Sequence, residues 1–188
     1  VVDDNARLVA SVDPYGVRTE NDYDAMGNIT TTRMAAGTAD ERIARMEYDL
    51  NNRKTADIDG ESNRTEYDYD AMGNRVRVTD ALGRAIRYYF DGANRLIGVL
   101  DAEGGVNRFS HDSAGNVIEQ RLFSTRYTGS ISDTVPPSPP ATAQDRVTTT
   151  TYDRAGRATS VVEADGSTTL KTFDGAGNLV HEQLFANT

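Results

Sequence analysis

The chain has 188 residues, of which 37% are apolar, and it contains no cysteine and no tryptophan. This composition is thin for one central core, and it suits an extended sheet or a stack of small units. The formal charge of −9 disfavours nucleic-acid partners, because a net-acidic surface repels phosphate backbones. Disulfides and thiolate metal sites are excluded, and no apolar run is long enough for a membrane span.

A short unit, in which an aromatic residue precedes Asp, recurs along the whole chain. Five of the seven intervals between successive units are 21 residues, and the other two are 25 and 41. A fixed period of this kind is the sequence signature of a repeat architecture. The units start at Tyr23, Tyr48, Tyr69, Phe90, His111, Tyr152 and Phe173, and a worn copy without the aromatic residue starts at Val2.

Each unit carries the residues of a tight turn. An Asp at the start of a turn accepts hydrogen bonds from backbone N–H groups two or three residues on, and a following Gly adopts the left-handed backbone conformation. The turn residues are Asp24, Gly27, Asp49, Asp70, Gly73, Asp91, Asp112, Gly115, Asp153, Gly156, Asp174 and Gly177.

A second turn follows most aromatic positions by eleven residues, as at Asp13, Asp80 and Asp101, with looser forms at Asp59 and Glu163. Two turns per period leave two short strands. The sequence therefore predicts an all-β array of about eight β-hairpins that form a continuous antiparallel sheet. Helix content is expected to be minimal, and residues 38–45 are its best candidate.

The strands before the turns alternate, as in Thr65, Tyr67 and Tyr69 against Glu66 and Asp68, which is typical of β-structure. Equivalent residues of successive repeats are expected to stack as ladders. We expect an aromatic ladder to form the main apolar seam between strands. Its members are Tyr23, Tyr48, Tyr69, Phe90, His111, Tyr152 and Phe173.

One irregular segment, at about residues 124–145, interrupts the array and is rich in Ser, Thr and Pro. Its composition predicts an extended, solvent-exposed excursion in place of a tight turn. A tolerated surface insertion is one interpretation, because long loops add little closure entropy. The other is a contact arm that packs on a neighbouring subunit or partner through Pro136, Pro137, Pro139 and Pro140.

These turns and strands resemble those of the YD-repeat, or RHS (rearrangement-hotspot), family. Its pattern is an aromatic-Asp-x-x-Gly-Arg turn, an apolar strand and an Asp-x-x-Gly turn, recurring about every twenty residues. The resemblance makes residues 1–188 one repeat array, apart from the insertion. It implies a sheet that winds as a spiral and closes into a hollow shell in large members. Such shells occur in bacterial toxin complexes, polymorphic toxins, wall-associated proteins and teneurins.

The resemblance implies a non-enzymatic structural scaffold that is secreted or at the cell surface of a bacterium, with no cofactor. A segment of a large toxin-enclosing shell is the first hypothesis. A subunit of an extracellular filament, joined through open β-edges, is the second, and a carbohydrate-binding or adhesive module is the third. The array is expected to stop within the repeats at both ends. Its partners are then further repeats of the same chain or identical subunits, an enclosed toxin, or glycans.

The sequence departs from the family pattern where Asn replaces Arg after the turn, at Asn28, Asn74, Asn116 and Asn178. No copy of the family's self-cleaving segment and no toxin-like tail is found. Neither self-cleavage nor a cargo is therefore carried over.

Other kinds of site are weaker interpretations of the same residues. Asp68 and Asp70 faintly resemble a calcium loop, but Thr79 stands where the bidentate Glu is needed, so turn capping is preferred. His111 occupies an aromatic slot, and His181 has no second histidine near it, so metal and acid–base roles are disfavoured. No motif for a nucleophile elbow, a phosphate loop or a dinucleotide site is present.

Overall fold

Fifteen β-strands make up the computed structural model, which describes residues 1–187. No helix occurs within these residues, so the prediction of an all-β array of hairpins is confirmed. The strands are β1 (Ala10–Val12), β2 (Arg18–Tyr23), β3 (Ile29–Met34), β4 (Arg42–Tyr48), β5 (Lys54–Ile58), β6 (Arg64–Tyr69), β7 (Arg75–Thr79), β8 (Ala85–Phe90), β9 (Leu96–Leu100), β10 (Val106–His111), β11 (Val117–Leu122), β12 (Arg146–Tyr152), β13 (Ala158–Val162), β14 (Thr168–Phe173) and β15 (Leu179–Phe185).

The chain divides into two compact units. The first ends at Ala85 and contains β1 to β7, and the second begins at Ile86, within β8, and continues through β15. In each unit every strand pairs antiparallel with the next strand in sequence. The assignment of all 188 residues to one array stays a prediction.

The helix candidate at residues 38–45 is wrong, because Arg42–Tyr48 is strand β4. Its first residue, Arg42, pairs with Met34 of β3. Gly37, at φ +79°, lies in the turn that joins the two strands, and its N–H donates to the Glu41 carboxylate at 2.8 Å. Strand pairing on both sides of β4 therefore outweighs the weak local helix preference.

A β-bulge precedes the aromatic residue of each turn. Between Asp68 and Tyr69, for example, the register of β6 with β7 shifts by one residue. The same shift recurs before Tyr23, Tyr48, Phe90, His111, Tyr152 and Phe173. A bulge bends the strand and increases its local twist. The period-two alternation read from the sequence therefore ends at the residue before the aromatic position.

The buried apolar residues differ from the predicted aromatic seam. In the second unit Tyr89, Leu100, Val106 and Phe123 form a buried cluster, against which Ile97 and Tyr127 pack. In the first unit the buried apolar residues are the small Ala10 and Ala56. The seven residues of the predicted ladder are all only half-buried. The prediction that they form the main apolar seam is therefore wrong, because the buried cluster is built from other residues, and the rings of Tyr23, Tyr69 and Phe173 lie under arginines.

The insertion at about residues 124–145 folds back on the sheet of its own unit. Pro136, Pro137 and Pro139 are buried, whereas Pro140 is exposed. The prediction of an extended, solvent-exposed excursion is therefore wrong for the proline segment. The physical reason is that the insertion covers an apolar face on β8 to β10. Tyr89 of this face also donates its hydroxyl proton to the Ser132 carbonyl in the insertion, at 3.1 Å.

Candidate functional site

The eight turns that follow the aromatic-Asp pattern share one pattern of hydrogen bonds to the Asp carboxylate. In the turn that starts at Asp70, Oδ1 accepts the backbone N–H groups of Met72 at 2.9 Å and Asn74 at 2.8 Å, and Oδ2 accepts the Asn74 amide at 2.8 Å. The carboxylates that accept the same three groups of hydrogen bonds are those of Asp3, Asp24, Asp49, Asp91, Asp112, Asp153 and Asp174.

These hydrogen bonds stabilise the ionised form of the turn carboxyls. Chiefly through its bond to the Arg95 side chain, the pKa of Asp91 falls to about 2. The Asn74 amide likewise lowers the pKa of Asp70. For Asp49 the backbone N–H of Arg53 is the largest cause of the lowered pKa. The turns therefore depend on charged aspartates.

The carboxylates of the calcium-like sequence are engaged inside the protein. Asp70 has the three hydrogen bonds described above, and Asp68 accepts the Nε–H of Arg77 at 2.6 Å. Within residues 1–187, no group of three or more His, Cys, Asp or Glu is placed to hold a metal ion. The aspartates of this segment thus serve hairpin geometry.

An arginine at the end of four turns joins its own turn to the next repeat. The Nε–H of Arg53 donates to Asp49 at 2.7 Å, and Nη1–H donates to the backbone carbonyl of Asp70 at 3.0 Å. The same forward bond runs from Arg7 to Asp24 at 3.1 Å, and from Arg95 to the carbonyl of Asp112 at 2.9 Å. One side chain therefore fixes two successive turns. We call the turns that end in Arg7, Arg53, Arg95 and Arg157 the Arg turns.

At Arg7, Arg53 and Arg157 the aromatic residue of the following turn lies under the same arginine. Guanidinium-to-ring distances are 4.8 Å for Arg53 over Tyr69 and 4.5 Å for Arg157 over Phe173. The Tyr69 hydroxyl donates back to the carbonyl of Lys54, next to Arg53, at 2.8 Å. The turns that contain Arg53 and Tyr69 are thus linked by a cation–π contact and by hydrogen bonds in both directions. The same contacts join Arg7 and Leu8 to Tyr23.

The other four turns, which we call the Asn turns, end in Asn28, Asn74, Asn116 and Asn178. Each asparagine amide donates to the Asp of its own turn at 2.8–3.0 Å. The Asn28 amide also donates to the Asn52 side chain of the next turn at 2.9 Å. Asparagine is shorter than arginine, so its links to a neighbouring turn differ in kind.

The two histidines lie in different strands, His111 in β10 and His181 in β15. His111 occupies the aromatic slot of its repeat, and its Nδ1 is buried with no hydrogen-bond partner among the described residues. His181 lies in β15, whose side chains are exposed.

A polar cluster at the neck of the insertion was missed by the sequence reasoning. The side chain of Asp145 is shielded from solvent and accepts the backbone N–H groups of Ser124 and Thr142 and the guanidinium of Arg121, at 3.1–3.2 Å. These hydrogen bonds, led by the Ser124 N–H, hold the pKa of Asp145 well below its usual range. The only signal in the sequence was an Asp just before the strand resumes at Arg146.

Further contacts hold the insertion against the sheet. Pro136 packs where Gly98 lacks a side chain, since a Cβ at Gly98 would lie 2.7 Å from the Pro136 Cβ. The N–H of Tyr127 donates to the carbonyl of Gly104 at 2.7 Å. The Arg126 guanidinium donates to the Glu103 carbonyl at 2.6 Å. The proposed contact residues Pro136, Pro137 and Pro139 therefore pack within this unit.

The geometry defines a class of protein, a structural repeat scaffold whose motif residues link one hairpin to the next. A model of the RHS repeat matches residues 48–85, 69–106 and 152–186, which together cover half of the chain. The chain therefore belongs to the RHS repeat family.

Stretches of solved structures are similar to most of this chain. The crystal structure of TcdB2-TccC3-Cdc42 is 17% identical over 90% of this chain, with a TM-score of 0.38. The holotoxin pore of the Photorhabdus luminescens Tc toxin is 18% identical over 97% of this chain, with a TM-score of 0.38. The chain spans 12% of the length of each of these structures. No curated protein matches the sequence.

The described residues, 1–187, include no helix of the length and apolar character that crossing a membrane requires.

Proposed function

We propose that this chain is a wall segment of a large extracellular container that is built from RHS repeats and encloses a toxin. The observation that carries the proposal is the direction of the links between turns. Arg53 bonds forward to Asp70, and Tyr69 bonds back to Lys54, so a repeat is completed by its neighbours. Stacked repeats of this kind bury their surface only against one another, and they build long walls. Membership of the RHS repeat family supports the same function.

The proposal assigns a mechanical function and no catalytic one. The ionisable residues of the motif are engaged in turn and inter-turn bonds, as the Asp49 carboxylate is by Arg53 at 2.7 Å. A wall needs these bonds because thin sheets have little core, and the fully buried apolar residues here are few.

The size of the native polypeptide tests this proposal. An antibody raised against this chain should detect, in extracts of the producing cells, a polypeptide far larger than the 20.5 kDa of the chain. A native polypeptide of about that mass would contradict a wall segment. Detection in the extracellular or cell-surface fraction is expected, and retention in the cytoplasm would contradict the proposed location.

A filament subunit is the second candidate, and the exposure of strand β15 favours it. All seven residues of β15 are exposed, including Val180 at 61% and Leu184 at 68%. Apolar side chains on an exposed strand edge favour pairing with another strand. In a filament, identical subunits would supply that strand. Light scattering tests this at increasing protein concentration: growing mass with rod-like particles supports a filament, and a monodisperse monomer contradicts it.

The insertion is a candidate contact arm through its outer surface. Ile131 and Val135 are 49% and 65% exposed, and Pro140 is exposed as well. Replacing Ile131 and Val135 by Ser should weaken assembly while leaving the buried prolines in place. Deletion of residues 126–143 is the stronger change. Unchanged assembly of both variants would exclude the contact role.

Glycan binding, which the family resemblance also implies, is tested on the same protein with a glycan array. Saturable binding to a defined sugar class supports an adhesive module, and a blank array removes this third candidate.

A further inference from the structure

The residue that closes the aromatic-Asp turn alternates strictly along the chain. Arginine closes the first, third, fifth and seventh turns, and asparagine closes the others. The residue before it is always glycine in the Asn turns and varies in the Arg turns. In the Arg turns it is Ala6, Asn52, Asn94 and Gly156, and in the Asn turns it is Gly27, Gly73, Gly115 and Gly177. A simple period of one hairpin does not account for this alternation.

Backbone conformation separates the two kinds of turn. The glycines of the Asn turns have φ of +91° to +93°. The corresponding residues of the Arg turns have φ of +59° to +76°. Asn and Asp tolerate the lower values, whereas the higher ones favour glycine. The preceding residue is therefore matched to the kind of turn.

At two junctions the forward-reaching arginine lies close to the glycine of the following Asn turn. The Cδ of Arg95 lies 3.8 Å from where a Cβ at Gly115 would be, and Nη1 of Arg157 lies 3.4 Å from a Cβ at Gly177. A longer side chain at either glycine would meet the arginine that bonds to that turn. At these two junctions the glycine lies beside the arginine, whereas a Cβ at Gly27 or Gly73 would have no atom within 4 Å.

The opposite junction, from an Asn turn to an Arg turn, has other contacts. The Asn28 amide donates to the Oδ1 of Asn52 at 2.9 Å, and Asn116 Oδ1 lies 3.7 Å from where a Cβ at Gly156 would be. Here the short asparagine meets the left-handed residue of the next turn. The Tyr152 hydroxyl donates to the Val117 carbonyl at 3.0 Å, as the Tyr69 hydroxyl does to the Lys54 carbonyl, so the backward bond occurs at both kinds of junction. The two junctions differ in the contacts of the closing Arg or Asn side chain.

The strands carry the same alternation. Three residues after each Arg-turn arginine stands a small residue, and five residues after it an apolar one. The small residues are Ala10, Ala56, Gly98 and Ser160, and the apolar ones are Val12, Ile58, Leu100 and Val162. Three residues after the Asn-turn asparagines stand Thr31, Arg77, Glu119 and His181. Five residues after them stand Arg33, Thr79, Arg121 and Gln183.

We propose that the structural unit of this protein is a block of two hairpins, about 42 residues long, in which an Arg turn is followed by an Asn turn. The surface of an Arg turn is an interaction surface, and its partner is the Asn turn that follows it. Both irregular intervals, of 25 and 41 residues, begin at an Asn turn and end at an Arg turn, so each insertion lies between blocks. This inference holds for a container wall and for a filament alike.

Two deletions distinguish a block from a single-hairpin repeat. Removing residues 48–89 takes out one Arg turn and one Asn turn and restores the sequence Asn turn to Arg turn. Removing residues 48–68 takes out one Arg turn and places two Asn turns side by side. If single hairpins were the unit, the larger deletion would be the more damaging one.

We expect the larger deletion to melt at the higher temperature, by about 4 °C or more, which corresponds to one to two kcal/mol in a chain of this size. The comparison uses circular dichroism at equal protein concentration. A melting temperature of the 48–68 deletion equal to or above that of the 48–89 deletion would overturn the proposal.

A double-mutant cycle provides a test that leaves the chain length unchanged. Gly115→Asn places a side chain against Arg95, whereas Gly115→Asn with Arg95→Asn reproduces the contact of Asn28 with Asn52. The loss of melting temperature caused by Gly115→Asn should be at most half as large in the Arg95→Asn background. Equal losses of melting temperature in both backgrounds would contradict the proposed matching of Arg95 with Gly115. Gly83→Asn, at a glycine with φ +78° and open surroundings, is the control and should be additive with Arg95→Asn.

Discussion

The guanidinium of Arg53 lies 4.8 Å from the ring centroid of Tyr69, in the turn of the next repeat. The same arginine donates to Asp49 behind it and to the Asp70 carbonyl ahead of it. Arginine suits this position because its planar group stacks on a ring while its N–H groups remain available as donors. This relationship makes the motif a link between repeats as well as a turn within one.

Arg53→Asn should lower the free energy of unfolding by about 1 kcal/mol, since it removes a cation–π contact and a forward hydrogen bond. The Asn side chain can still donate to Asp49, as Asn74 does to Asp70. Chemical denaturation measures the change. Arg154→Asn, at an exposed arginine in another turn, is the matched control and should change the stability by less than half as much. Equal effects of the two variants would contradict the linking role.

Tyr69→Phe should cost about 0.5–1.5 kcal/mol, because it removes the hydroxyl that donates to Lys54 and keeps the ring beneath Arg53. Phe173 occupies the same slot under Arg157, so the ring alone is compatible with the turn. Tyr15→Phe, at a side chain that is 92% exposed, should be neutral in the same denaturation experiment. A neutral Tyr69→Phe would show that the backward bond contributes nothing.

Acid should destabilise the protein through the turn aspartates. The pKa of Asp91 is lowered to about 2 in the folded state, below the unfolded value near 3.9. Its contribution is therefore fully present above about pH 4 and is lost as the pH falls through 2. The melting temperature should fall over this range. Asp91→Asn should be less stable at pH 7 and should lose less on acidification than the wild type. Parallel curves would contradict this contribution of Asp91.

Gly73→Ala should destabilise the first unit by about 1–2 kcal/mol, because Gly73 has φ +91° and an alanine Cβ is strained there. The space around this position is open, so the cost is conformational and not steric. Gly92→Ala is the control, since Gly92 also lies in an open turn but is not in the left-handed region. In thermal melting, Gly73→Ala should have a lower melting temperature than Gly92→Ala. A Gly92→Ala variant that is the less stable of the two would contradict this explanation.

Gly98→Ala should displace the insertion from its sheet, because the new Cβ would lie 2.7 Å from the Cβ of Pro136. Limited proteolysis should then cut residues 124–145 at least several-fold faster than in the wild type. Gly175→Ala, in open surroundings, should leave the cleavage rate unchanged. An unaltered rate for Gly98→Ala would mean that Pro136 does not seal this contact.

The sequence was sufficient to predict the hairpins, since a 21-residue period with Asp and Gly at fixed offsets leaves few alternatives to two turns per repeat. It did not predict which groups the arginine side chains contact. A bond from Arg53 to the Asp70 carbonyl depends on the spacing and twist of adjacent strands, which local patterns do not encode. The bulge before Tyr69 was missed for the same reason.

The sequence also did not predict that the proline segment of the insertion is buried. Pro136 and Pro137 have the composition of an exposed linker, and only the three-dimensional placement of Gly98 and Tyr89 creates a surface that accepts them. Tyr89 itself stood beside the predicted aromatic slot of Phe90, and the bulge between the two residues separates their environments.

Electron microscopy of the native particle tests the central claim, a wall built from linked repeats, most directly. We predict a closed hollow body whose wall is a sheet of hairpins and whose interior contains density. An unbranched rod with a regular axial repeat would support the filament instead. A small isolated particle, in which no further strands pair with this array, would contradict both and with them the scaffold function.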